Sequence, residues 1–287
     1  MSQLRKIRYR LFAWRRFPTL SPSVEPIDVV IPIVAKDLRI LPLCLEGVRR
    51  CVAHRVGAVY IVAPPDGMIR DFCAREGLVF VDEADVLGFA PRDLNLQVTF
   101  PGGGADRSGW LFQQLVKLSG RVGSCRHYLC IDADHVLIRP HVFLTDGGQT
   151  VFYMSYEQHQ PYYDNISRLL PGLRLESLSY VDHKMLFDKE QLSRLHNALE
   201  QQSGRAWVDT IVDSYDRHQF SGFSEFELYG NFATGKVLRP WLQKRLPYSK
   251  MADYDTLRRR WQNGRWSLTF PDYMRQNRSC GGEEVWR

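Results

Sequence analysis

The chain of 287 residues contains no apolar run near the ~18 residues needed to cross a bilayer, which excludes a multi-pass transporter. It has no CxxC pair and no cysteine cluster at zinc-site spacing. Cys44, Cys51, Cys73, Cys125, Cys130 and Cys280 are scattered in mixed apolar surroundings, so they read as reduced side chains of a cytoplasmic protein. Internal repeats and low-complexity tracts are also missing. A 44% hydrophobic and 24% charged composition excludes global disorder and supplies enough apolar side chain for a sizeable core.

Acid is missing from residues 1–17, which hold Arg5, Lys6, Arg8, Arg10, Arg15 and Arg16. The whole chain carries 38 basic and 32 acidic residues, so without these six the balance is 32 against 32, and the net +6 equals the charge of this arm. A nucleic-acid binder would spread basic residues over a domain face, so nucleic acid is not an expected partner. No apolar core follows the charges, so the arm does not read as a secretory signal. Within it Leu4, Ile7, Leu11 and Trp14 recur at helical spacing. Two readings stand: a basic amphipathic helix lying on an anionic membrane surface, or a helix packed on the domain with its arginines in water.

Pro18, Pro22 and Pro26 make residues 18–26 an extended linker, and strands then alternate with helices. Residues 27–34 (IDVVIPIV) form a β-branched run expected for a strand buried on both faces. Residues 38–53 follow as a helix with Asp37 as its N-cap, then a strand at 56–63, a helix at 66–76 and a strand at 78–81. Residues 88–107, with a triple glycine at 102–104, read as a mobile loop and a ligand cover. Ser108 is expected to cap a helix at 110–120, and residues 128–131 form a strand running into Asp132-Ala133-Asp134. Further on, strands are expected at 151–156 and 179–187, an aromatic loop at 156–163, and helices at 189–202, 206–216 and 223–232. The order implies an α/β protein with a mainly parallel, helix-covered sheet. Residues 1–26 are arm and linker, and 27–287 a single domain.

Two carboxylates one residue apart at the end of a buried strand are costly without a cation. Extended alternation would put both on one side of the chain, and oxygen ligands select Mg²⁺ or Mn²⁺. The carboxyl ends of parallel strands are also where open α/β sheets bind ligands. Asp132 and Asp134 are therefore the expected metal ligands. His183 either completes that shell, binds phosphate or is structural. Lys117 either neutralises a bound phosphate or is an exposed helix lysine.

Residues 27–37, 109–118 (GWLFQQLVKL), 128–140 (YLCIDADHVLIRP) and 224–232 (SEFELYGNF) resemble GT-A-fold glycosyltransferases, in particular bacterial polysaccharide and cell-envelope types with a DxD motif. The resemblance implies a GT-A-like (Rossmann-like) three-layer sandwich with a nucleotide-sugar half at 27–140 and an acceptor half at 141–287. It implies a nucleotide-sugar donor, Mn²⁺ or Mg²⁺ at Asp132 and Asp134, and a glycan or glycolipid acceptor on the inner face of the cytoplasmic membrane. Pro32, Val34, Lys36 and Asp37 would hold base and ribose, with Asp82 a further candidate. The catalytic base would be Glu225, with Glu227 and Asp182 behind it; Asn231 would line an acceptor groove, and Tyr229 would either line it or sit in the core. The adjacent Glu-Asp pair common in inverting members is missing. Two other functions stay open: a sugar-phosphate nucleotidyltransferase, and a non-catalytic, membrane-associated binding protein. The segment 32–37 contains no glycine, which counts against the nucleotidyltransferase.

Overall fold

A computed structural model describes residues 2–271; Tyr273 and Cys280 lie outside the described residues. A helix, α1 (Ser2–Ala13), precedes β1 (Ile27–Pro32), α2 (Leu41–Cys51), β2 (Val56–Ala63), α3 (Gly67–Glu76), β3 (Val79–Asp82) and α4 (Glu83–Leu87). A hairpin of β4 (Gln97–Phe100) and β5 (Gly103–Asp106) leads into α5 (Ser108–Leu118), β6 (His127–Ile131), β7 (His135–Leu137) and β8 (Thr150–Met154). Next come α6 (Gln160–Leu169), β9 (Lys184–Asp188), α7 (Lys189–Ser203), α8 (Trp207–Ser214) and α9 (Glu225–Phe232). The described chain closes with β10 (Lys236–Pro240), β11 (Gln243–Arg245), α10 (Tyr254–Trp261) and β12 (Ser267–Thr269).

The central sheet runs β3-β2-β1-β6-β9, with β9 alone antiparallel to its neighbour. Side-chain alternation divides the core between its faces. Val29, Ile31, Leu129, Ile131 and Leu186 join α2 and α3 on one face. Val30, Tyr128, Cys130, Met185 and Phe187 join α5, α7, α8 and α9 on the other. Strands β1, β6 and β9 are thus covered twice, which explains why they are mostly apolar on both faces. The result is a three-layer α/β sandwich with a mainly parallel sheet, as expected. The five described cysteines are free.

Several expectations are corrected. The glycine segment is not a loop but the turn of the β4–β5 hairpin, where Gly102 and Gly103 have φ of 104° and 152°, values that favour glycine. Asp37 does not cap α2; it lies in a 3₁₀ turn (Ala35–Arg39), its carboxylate accepting the Val34 N–H at 3.0 Å. Ser108 does not cap α5 either: its hydroxyl accepts the Leu96 N–H at 2.8 Å, while the Asp106 carboxylate accepts the Ser108 N–H. The strand expected from residue 179 begins only at Lys184, because His183 takes the left-handed conformation (φ 57°) that no extended strand allows. The aromatic loop at 156–163 gives way to α6, with Pro161 in its first turn, where the missing N–H costs nothing.

One buried acid, Asp28 on β1, ties the sheet to its loops. Its carboxylate accepts N–H bonds from Ala58 (3.0 Å), Ser124 (2.6 Å) and Cys125 (2.7 Å). A Cβ at Gly57 or Gly123 would sit 2.6 or 2.5 Å from that carboxylate, so both close approaches require glycine. Asp28→Ala strands these donors, each costing about 1–3 kcal/mol when left unpaired. We expect urea unfolding to show a loss of at least about 3 kcal/mol; a loss below about 1 kcal/mol would contradict the assignment.

Candidate metal and diphosphate site

The site forms where β6 ends. Ile131 is the last paired residue, and Asp132-Ala133-Asp134-His135 then makes a turn closed by the His135 N–H donating to the Asp132 carbonyl at 3.0 Å. The Asp134 carbonyl accepts the Phe270 N–H at 2.9 Å, and the Asp132 N–H donates to the His183 carbonyl at 2.9 Å. The two acids converge because the chain turns, not because it stays extended as the sequence suggested. The left-handed backbone at His183 presents its ring to the same point. One ligand atom each from Asp132, Asp134 and His183 lies within 4.8 Å of the others, the spacing of a metal site. Two carboxylates and an imidazole suit a divalent ion such as Mn²⁺ and leave further positions for water or phosphate.

Lys117 of α5 is buried between two acids, its ammonium donating to Asp132 Oδ1 at 2.8 Å and to Glu225 Oε1 at 2.9 Å. Burial alone would lower its pKa, but the two carboxylates outweigh burial and raise it, so Lys117 stays charged. The sequence left Lys117 between a phosphate-neutralising and an exposed role; it is buried and doubly paired. Burial works to raise the Asp132 carboxyl, yet the Lys117 charge and the His183 hydrogen bond hold it well below the usual range. Asp134 has no such lysine partner. Burial pushes it up to about 6, with His183 pulling the other way and Asp132 adding to the rise. His183 Nδ1 lies 3.1 Å from Asp132 Oδ2; burial opposes its charged form, but this contact raises its pKa.

A cleft of about 650 Å³ opens over these groups. Pro32, Val34, Lys36 and Asp37 line it after β1, and Lys117, Asp132, Asp134, His183 and Glu225 line its floor. Asp82, Asp182 and Glu227 are not among its lining residues. Asp82 instead caps α4, accepting the Ala84 N–H at 3.1 Å. Asp182 forms a buried ion pair with Lys184 at 2.7 Å, and burial raises its carboxyl to about 7 against the lysine's pull. Glu227 is fully buried and accepts from the Tyr163 hydroxyl at 2.8 Å, the Ser179 hydroxyl and the Asn231 amide. Tyr229 and Asn231 do not line the cleft either; the Tyr229 hydroxyl accepts the Asp188 N–H, and Asn231 accepts the Glu176 N–H.

Trp110, Gln113, Gln114, Tyr162 and Tyr248 also line the cleft. Of these, the α5 residues had a signal: Trp110, Gln113, Gln114 and Lys117 recur at three- and four-residue spacing on an otherwise apolar helix. Tyr162 lies in the aromatic, Gln-rich segment 156–163, which the sequence marks as able to touch sugar, and Tyr248 had no local signal.

Two predictions follow from these charges. Metal binding requires Asp134 and His183 to be deprotonated, and an ion would replace the proton shared by His183 and Asp132. Mn²⁺ binding should therefore weaken on acidification through about 6, and calorimetry in buffers of different ionisation enthalpy should show proton release that His183→Ala reduces. Burial raises Glu227 from 4.5 to about 7, so across that window the folded state keeps a proton that the unfolded chain has released. This contribution to stability is present below 4.5 and lost as pH rises through about 7. Melting curves should fall less steeply with pH over that range in Glu227→Gln; equal slopes would overturn the assignment.

Among solved structures, the chain is similar to mouse xyloside xylosyltransferase 1 in its apo form, with 13% identity over 87% of this chain and 99% of that one and a TM-score of 0.49. It is also similar to the galactosyltransferase LgtC in complex with donor and acceptor sugar analogs, with 15% identity over 85% of this chain and 87% of that one and a TM-score of 0.47. Likenesses at this level carry no chemistry over to this chain. No curated protein matches it. Residues 25–252 match the family described as "Family of unknown function (DUF6492)", and the chain belongs to that family.

Proposed function

We propose that the protein is a metal-dependent glycosyltransferase that moves a sugar from a nucleoside-diphosphate donor to a hydroxyl of a glycan or glycolipid. The observation that carries this reading is the convergence of Asp132, Asp134 and His183 in a cleft that the end of β1 and the segment after it also line. A diphosphate needs cationic charge at one end of such a cleft, and its nucleoside needs a wall of backbone and mixed side chains at the other. A cation held by Asp132, Asp134 and His183 would neutralise charge developing on the departing diphosphate. Pro32, Val34, Lys36 and Asp37 would hold the nucleoside. As the bond from the anomeric carbon to the diphosphate breaks and a bond to the acceptor oxygen forms, the acceptor hydroxyl loses a proton. Glu225 is the candidate to receive it, since of the three candidate bases it alone lines the cleft among the described residues. Its side chain is fixed there by the Lys117 ammonium at 2.9 Å.

The segment between β1 and α2 contains no glycine and closes as a 3₁₀ turn, which disfavours the nucleotidyltransferase alternative. Purified protein incubated with a panel of nucleotide sugars and Mn²⁺ should hydrolyse or transfer from one donor, and chelation should stop it. Asp134→Ala should abolish metal-dependent donor binding. Glu225→Gln should keep donor binding and lower turnover by about 10²–10⁴-fold. Donor binding unchanged in Asp134→Ala, or pyrophosphate release from a nucleoside triphosphate and a sugar phosphate, would sink the proposal.

A further inference from the structure

The helix α1 presents two faces of different character. One rests on the body: the Tyr9 ring lies 5.4 Å from Tyr156, its hydroxyl accepts the Leu242 N–H at 3.3 Å, and Phe12 packs edge-on to Phe17. The other face is apolar and bare. Leu4, Ile7, Leu11 and Trp14 are 58%, 51%, 63% and 89% exposed. At 3.6 residues per turn they fall within about 80° of one another, the Trp14 N–H extending the helical pattern by donating to the Arg10 carbonyl. Of the eight large apolar side chains exposed among the described residues, these are four, so the apolar exposure is concentrated rather than scattered.

On the same helical wheel Lys6 and Arg10 border the stripe on one side, and Arg8 and Arg15 on the other. All four are exposed. An apolar band flanked on both sides by cations, with the opposite face packed on protein, matches the requirements of a helix lying in the plane of a lipid interface. Its charge complements an anionic surface and nothing on the formally neutral remainder of the chain. A second copy of this chain would bring two such cationic borders face to face, which like-charge repulsion opposes.

We propose that α1 docks the protein in-plane on an anionic lipid bilayer, with Leu4, Ile7, Leu11 and Trp14 in the acyl boundary and Lys6, Arg8, Arg10 and Arg15 at the headgroups. The proposal does not depend on the transferase reading, because it concerns binding to lipid alone.

The test is sedimentation of the full chain with phosphatidylcholine vesicles, with and without phosphatidylglycerol. Binding is expected to the anionic vesicles, to weaken with added salt, and to be small on the neutral ones. Neutralising two border charges (Arg8→Gln with Arg15→Gln) should weaken it about thirtyfold, and Leu11→Asp should abolish it. These side chains are exposed, so circular dichroism and Mn²⁺ binding should stay unchanged. Lack of binding to anionic vesicles, binding unaffected by Leu11→Asp, or a dimer in solution that Leu11→Asp dissociates would each overturn the proposal.

Discussion

The site depends on one buried ammonium. Lys117 reaches Asp132, at the end of a central strand, and Glu225, at the start of a helix 108 residues further along the chain. Removing an ammonium from water costs several kcal/mol, and only close, well-aligned carboxylates repay it. The same holds in reverse: without the lysine, Asp132 would keep only His183, and Glu225 would lose its ion-pair partner in a partly closed cleft. Lys117 therefore fixes where the two acids sit and, with His183, holds Asp132 ionised. It also joins the two parts of the cleft, since α5 and α9 pack on the same face of the sheet.

That lysine explains how two acids one residue apart come to differ. Asp132, bonded directly to Lys117, is held ionised, whereas Asp134, which Lys117 reaches only through its charge, is pushed up to about 6 by burial and drawn back by His183. A divalent ion held by the cluster would add positive charge beside Asp134, where His183 and Lys117 only partly offset burial. The backbone prepares this arrangement in advance. The turn after Ile131 is pinned from one side by the His183 carbonyl and from the other by Phe270. The left-handed conformation of His183, uncommon for a residue with a side chain, is held there by the same bond.

The sheet was legible in the sequence because a strand buried on both faces must be apolar throughout, and residues 27–32, 56–63 and 127–131 are mostly so. The paired aspartates were legible because charge at the end of such a run is conspicuous. Other parts depend on contacts between segments distant in sequence. Nothing near Asp182 announces that Lys184 folds back to neutralise it, since a lysine two residues from an aspartate occurs in many solvent-facing loops. Asp28 lies inside a hydrophobic strand, and its partners at 124 and 125 are nearly a hundred residues away. The hairpin at 97–106 was missed because glycines signal permission for a turn, whereas the strands beside it are short and partly exposed.

The segment SEFELYG shows how local geometry resolves what composition leaves open. Glu225 and Glu227 are two residues apart on α9, so they point about 200° away from each other and cannot share one cleft. Ser224 caps the helix by accepting the Glu227 N–H at 3.3 Å, which sets the phase of the first turn. With that phase Glu225 meets Lys117 at the cleft floor, and Glu227 turns inward to gather Tyr163, Ser179 and Asn231. One acid therefore lines the cleft, paired with Lys117. The other joins α6, the segment before β9 and its own helix into a frame that keeps the first in place.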